Sequence, residues 1–199
     1  MLILIIDCLL DLSFTNWNGN ASSWGSEAII EVGNWIETKE TFSRPIVVEA
    51  EMKAADGPEC ISMNLFATDH VKNTMYSFET GGWGNKIRLF PGDYNETVGY
   101  NNGSWDTVRI ELTTDMVLFY LNGELKYSVN DSSQTSGTLQ FVAGCTDMMV
   151  RNPRIVSGGG YVCAGMLLCT AARNCSTDKS SFAVVAYFEM FGHLASKLP

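Results

Sequence analysis

Two stretches of this 199-residue chain have residue types and spacing suited to chemistry. The first is Glu49-Ala-Glu51, two carboxylates at alternate positions of an apolar-rich run. Glycoside hydrolysis needs two carboxyls facing each other across a sugar, about 5–5.5 Å apart for retention and wider for inversion. Alternate spacing puts both carboxylates on one face of a strand, which is also the pattern of a plainly solvated face. Glu37 and Glu40 offer no better pair. The second stretch, Tyr76–Tyr100, interleaves rings with polar groups: Tyr76, Glu79, Trp83, Asn85, Arg88, Tyr94 and Tyr100. Flat sugar faces stack on such rings while amides and carboxylates bond the hydroxyls, which makes these residues candidate ligand contacts. Trp83 follows Gly81-Gly82 and is suited to stand out from a loop, whereas burial in the core is the competing place for Trp83 and Tyr76.

Other chemistry is poorly supplied. The two histidines, His70 and His193, sit in no metal-binding or nucleophile-elbow pattern. Cys163, Cys169 and Cys175 lack the close spacing of a zinc site, so the six cysteines are expected in disulfides. Cys60 and Cys145 are placed to join strands, leaving Cys8 and the tail cysteines to tie the tail down; spacing alone does not fix the connectivity. Asp56, Glu59, Asp69 and Asp93 are loop acids available to calcium, but no dense Asp/Asn run forms a calcium loop, and no cofactor is expected.

The elements that must position these groups are strands. Trp105–Leu112 alternates, with Val108, Ile110 and Leu112 on one face and Thr107, Arg109 and Glu111 on the other. Asp115–Leu121 and Glu124–Val129 flank Asn122-Gly123, whose tolerance of positive φ marks a type I′ hairpin. Gly137–Ala143 and Asp147–Val156 continue the pattern. Upstream, Ala28–Val32, Asn34–Thr38, Pro45–Lys53, Cys60–Ala67, Thr74–Glu79 and Lys86–Phe90 are strand candidates separated by Gly and Pro turns. Trp105, leading an alternating strand, is expected in the core, and Trp17, Trp24 and Trp35 are expected to pack the first turns. About a dozen short strands without helical period predict an all-β, two-sheet antiparallel jelly-roll sandwich over residues 1–157. Ser157-Gly-Gly-Gly160 reads as a hinge into a tail, residues 158–199, in which Phe182–Leu194 is a candidate helix.

The net charge is −9, and all of it falls on the sandwich segment, which repels phosphate backbones and argues against nucleic acid. No apolar run is long enough to span a membrane. Five Asn-X-Ser/Thr triplets, at Asn20, Asn95, Asn102, Asn130 and Asn174, compare with roughly two expected by chance. The first four fall in expected turns or loops and are candidate glycosylation sites, pointing to secretion or surface display. Leu2–Cys8 reads as a first strand, since Met1–Asp7 lacks a basic region and a cleavage site.

Phe14–Trp24 (FTNWNGNASSW), Asn34–Phe42 (NWIETKETF) and Val47–Lys53 (VVEAEMK) resemble the opening of concanavalin A-like jelly rolls. Trp105–Val129 and the closing Val150–Val156 (VRNPRIV) are similar to their second half, with laminin G-like and 3-keto-disaccharide hydrolase-like domains the nearest in pattern. The superfamily includes lectins, carbohydrate-binding modules, glycanases and adhesion modules, so the resemblance implies a carbohydrate or cell-surface setting. Glycanases of the superfamily carry Glu-x-Asp-x-x-Glu or a close variant on one strand; Glu49-Ala-Glu51 lacks the third acid. The expected function is a non-catalytic glycan-binding or adhesion module. The alternatives are a structural subunit of an extracellular assembly and a glycoside hydrolase-like enzyme. Expected partners are a glycan or polysaccharide, or another protein through the tail. The tail itself admits a docked helix, a partner-binding segment or a removable lipid-anchor signal, the last weakened by Glu189, His193 and Lys197.

Overall fold

The computed structural model describes residues 10–55, 60–67, 75–81, 86–91, 94–97 and 103–158. Leu2–Cys8, the tail cysteines and Phe182–Leu194 lie outside them. Among the described residues no helix is long and apolar enough to cross a membrane.

The first sheet runs, in spatial order, β14 (Glu124–Asn130), β13 (Met116–Leu121), β12 (Asp106–Leu112), β7 (Ile46–Ala54), β16 (Met148–Gly158), β4 (Glu27–Ile30) and β3 (Ser23–Trp24), with β1 (Leu10–Asp11) also on β16. The second runs β11 (Tyr94–Thr97), β10 (Lys86–Phe90), β9 (Tyr76–Gly81), β8 (Ile61–Ala67), β15 (Ser136–Ala143), β5 (Trp35–Thr38) and β2 (Trp17–Gly19), with β6 (Phe42–Ser43) also on β15. Every pairing is antiparallel. This is the two-sheet jelly-roll sandwich that the strand pattern predicts.

Alternation decides which side of each strand is inside. Val108, Ile110 and Leu112 of β12 are buried, as are Val48, Ala50 and Met52 of β7 and Val117 and Phe119 of β13. From the second sheet Ile36, Met63, Leu65, Phe78, Leu89, Leu139 and Phe141 join them in a single core cluster. The rings of Phe78 and Phe119, 6.2 Å apart, mark the contact between the sheets. The hairpin at Asn122-Gly123 has positive φ at both residues, 51° and 82°, as a type I′ turn requires. The Asn122 side chain then accepts from the Thr107 amide and donates to Asp106.

Sequence continuity after β14 does not carry into space. β15 crosses to the second sheet, between β8 and β5, and β16 returns to lie between β7 and β4. Cys60 and Cys145 form a disulfide between the start of β8 and the turn after β15.

Trp105 corrects its expected place in the core. It is half-buried and falls in step with Thr107, Arg109 and Glu111, on the outer side of the first sheet. A strand that buries its even positions turns its odd ones outward, and Trp105 is odd.

Candidate functional site

Polar side chains run across much of the outward side of the second sheet. Register places Asn18, Glu37, Gln140, Asn64, Ser77 and Phe90 in one row across β2, β5, β15, β8, β9 and β10. The next row along the strands is Trp35, Val142, Ser62, Glu79 and Arg88. Strands lie about 4.8 Å apart, so the polar part of the row, from Asn18 to Ser77, spans roughly 19 Å.

The middle of this face is a buried and bonded floor. Gln140 is 0% exposed and Asn64 4%. Asn64 Nδ2 donates to Gln140 Oε1 at 3.0 Å, and Ser77 Oγ donates to Asn64 Oδ1 at 2.7 Å. Two amides and a hydroxyl on three strands thus fix one another's orientation, which removes the cost of leaving them unpaired. Every residue of β8 and β9 is buried, on the polar outward side as well as on the core side. At the β5 end the side chains open toward solvent, with Asn18 exposed and Trp35, Glu37 and Thr138 half-buried. Thr138 Oγ1 lies 3.5 Å from Glu37 Oε2.

The structure brings together two of the residues singled out in sequence. Glu79 and Arg88 are cross-strand neighbours on this face, 3.8 Å apart at their charged ends. Tyr76 does not join them. It pairs with Leu65 on the core side, is 1% exposed, and packs its ring 6.1 Å from Phe66. Its hydroxyl donates to Asp131 at 2.8 Å and accepts from Arg44 and from the Gln134 amide. Burial pushes the Tyr76 phenol above its usual range. Burial also acts to raise the Asp131 carboxyl, but hydrogen bonds from Ser133 and Tyr76, with the Arg44 charge, outweigh it and hold that carboxyl low. Tyr76 is therefore a structural anchor for the loops around Thr113 and Gln134, whose carbonyls Arg44 also binds, and is not a stacking platform. Trp83 and Asn85 lie outside the described residues; Tyr94, the first residue of β11, pairs with Leu89 of β10.

Trp35 is the aromatic that sequence reading placed elsewhere. Ile36 and Thr38 face the core, so Trp35 and Glu37 face out; the alternation in Asn34–Thr38 already carried that signal.

The outward side of the first sheet holds Glu49 and Glu51, and both are engaged by cations. Arg151 Nη2 is 2.6 Å from Glu51, Asn152 Nδ2 donates to it at 2.7 Å, and Arg154 pairs with Glu49. The Asn152 hydrogen bond, opposed by partial burial and joined by Arg151, holds the Glu51 carboxyl below its usual range. A general acid needs the opposite shift. Asp56, Glu59, Asp69 and Asp93 lie outside the described residues, among which no group of three or more acidic, histidine or cysteine side chains forms a metal site.

No protein-family model matches the chain, and no curated protein matches it in sequence. Solved structures do match in fold. A native glycosidic hydrolase aligns at 13% identity with a TM-score of 0.56, over 79% of this chain and 99% of its own. The carbohydrate-binding module CBM66 from Bacillus subtilis aligns at 15% identity and a TM-score of 0.55, over 71% of this chain and 96% of its own. A Bacillus licheniformis β-glucanase aligns at 11% identity and a TM-score of 0.52, over 71% and 92%. With the strand order and the core of two facing sheets, these likenesses settle the architecture: the chain has the concanavalin A-like jelly-roll fold.

Proposed function

We propose that residues 1–157 are a non-catalytic carbohydrate-binding or adhesion module of a secreted or surface-displayed protein, with the glycan seated on the outward side of the second sheet. The observation that carries this is the open end of that face. There Asn18 is exposed and Glu37 half-buried, both able to bond hydroxyls beside the half-buried indole of Trp35, and the Gln140–Asn64–Ser77 chain fixes the floor next to them. Glu79 and Arg88 extend the same face across β9 and β10. A glycosidic hydrolase, a carbohydrate-binding module and a β-glucanase among the structural neighbours support a carbohydrate ligand.

Hydrolysis is less well supported than binding. Glu37 and Glu79 stand three strand spacings apart, about 14 Å across the sheet, and Glu79 leans to Arg88 on the side away from Glu37. Two catalytic carboxyls work at roughly 5–9.5 Å. The test is a polysaccharide screen on the full chain that reads retention and release of reducing ends together. Retention without release is the expected result. Release of reducing ends would make it an enzyme, and neither retention nor release would leave a structural role.

A further inference from the structure

Three of the five Asn-X-Ser/Thr triplets lie on or next to the outer strands of the two sheets. Along the two sheets of described residues the outermost strands are β14 and β3 in the first and β11 and β2 in the second. Asn20-Ala21-Ser22 fills the gap between β2 and β3, two edge strands at one side of the sandwich. Asn95-Glu96-Thr97 makes up three of the four residues of β11. Asn130 is the last residue of β14, and its triplet continues through Asp131 and Ser132. We propose that Asn20, Asn95 and Asn130 carry N-linked glycans that shield all four outer strands from pairing with another chain.

An edge strand presents unpaired amide and carbonyl groups to any extended segment it meets, and proteins blunt that hazard with charge, proline, bulges or a cover. Two of the three large hydrophobic side chains exposed among the described residues lie on these edges, Trp24 on β3 at 42% and Leu125 on β14 at 48%. The charges on β14 are spent on each other, since Lys126 pairs with Glu124 at 2.8 Å. A bulky, hydrated glycan would cover these strands, whose outer edges pair with no other strand among the described residues. Asn20 and Asn130 are exposed, as are the hydroxyl residues Ser22 and Ser132. The Cys60–Cys145 disulfide suits the oxidising compartment in which glycans are attached. In the transfer, Asn Nδ2 forms a bond to C1 of a lipid-pyrophosphate-linked oligosaccharide. The C1–O bond breaks, Nδ2 gives up a proton, and the lipid pyrophosphate leaves.

The test passes the full chain through a eukaryotic secretory pathway. Amide-cleaving glycosidase in heavy-oxygen water then converts each occupied asparagine to labelled aspartate for mass spectrometry. Label at Asn20, Asn95 and Asn130 is expected; an unlabelled residue at any of them overturns the assignment for that edge. Light scattering then compares the glycoprotein with enzymatically stripped folded protein and with a Ser22→Ala, Thr97→Ala, Ser132→Ala variant. The glycoprotein should be monodisperse and the bare forms should associate. Bare protein that stays monomeric overturns the shielding role, and enzymatic stripping keeps that result readable if the variant fails to fold.

Discussion

Arg151 lies over the ring of Trp105, its guanidinium carbon 4.1 Å from the ring centroid, while the same guanidinium binds Glu51. One cation thus fixes an outward tryptophan and an outward carboxylate on the first sheet, leaving that ring covered on one side.

Trp105→Ala removes a half-exposed cation–π contact, worth about 0.5–1 kcal/mol in such settings, and leaves the Glu51–Arg151 pair in place. A loss near that size in urea denaturation is expected. A loss above roughly 3 kcal/mol would instead place Trp105 in the core.

Tyr76→Phe removes the hydroxyl that donates to Asp131 and accepts from Arg44 and from the Gln134 amide. Leaving such buried groups unpaired costs about 1–3 kcal/mol. Denaturation should show that loss while glycan retention is unchanged, because the phenol faces the core.

Stability should fall at both ends of the pH range. Glu51 and Asp131 have lowered folded-state values, so their contribution is present above about pH 4 and is lost as pH falls through those values. Tyr76 has a raised value, so its contribution is present below about pH 10 and is lost as pH rises through it. Denaturant midpoints measured across pH should reveal both limbs. Asp131→Asn should shallow the acid limb and Tyr76→Phe the alkaline one; unchanged limbs in those variants would contradict the assignments.

The Cys60–Cys145 disulfide closes a sequence separation of 85 residues. Chain-entropy arguments put its effect at about 4–5 kcal/mol. A Cys60→Ser, Cys145→Ser variant should lose a comparable amount in chemical denaturation, and a loss under 1 kcal/mol would indicate compensating relief elsewhere.

Much of the fold was legible where local chemistry is unambiguous. Asn122-Gly123 dictated its hairpin, the alternation through Val108, Ile110 and Leu112 fixed an inner face, and Cys60 and Cys145 stood near strand ends. The placing of β15 between β8 and β5 was not legible, because pairing between distant strands leaves no local trace. The site was legible only in part, and the reason is periodicity. Ile61–Ala67 and Tyr76–Gly81 are buried on both faces, so alternation no longer separates inside from outside, and Tyr76 reads as easily outward as inward. At Phe66 a bulge with φ of 62° further breaks the period. Trp105 and Trp35 were a different case: Trp105 was expected in the core for leading an alternating strand, and Trp35 in the packing of the first turns, whereas one-residue parity turns both outward.

The proposed glycan site lies on the outward side of the second sheet and includes Trp35. Affinity electrophoresis of the full chain in gels of a retained polysaccharide tests it directly, comparing wild type, Trp35→Ala and, on the opposite sheet, Trp105→Ala. Losing the stacking ring should weaken retention roughly tenfold in Trp35→Ala, with Trp105→Ala unchanged. Equal retention by all three proteins, or loss only in Trp105→Ala, would contradict it.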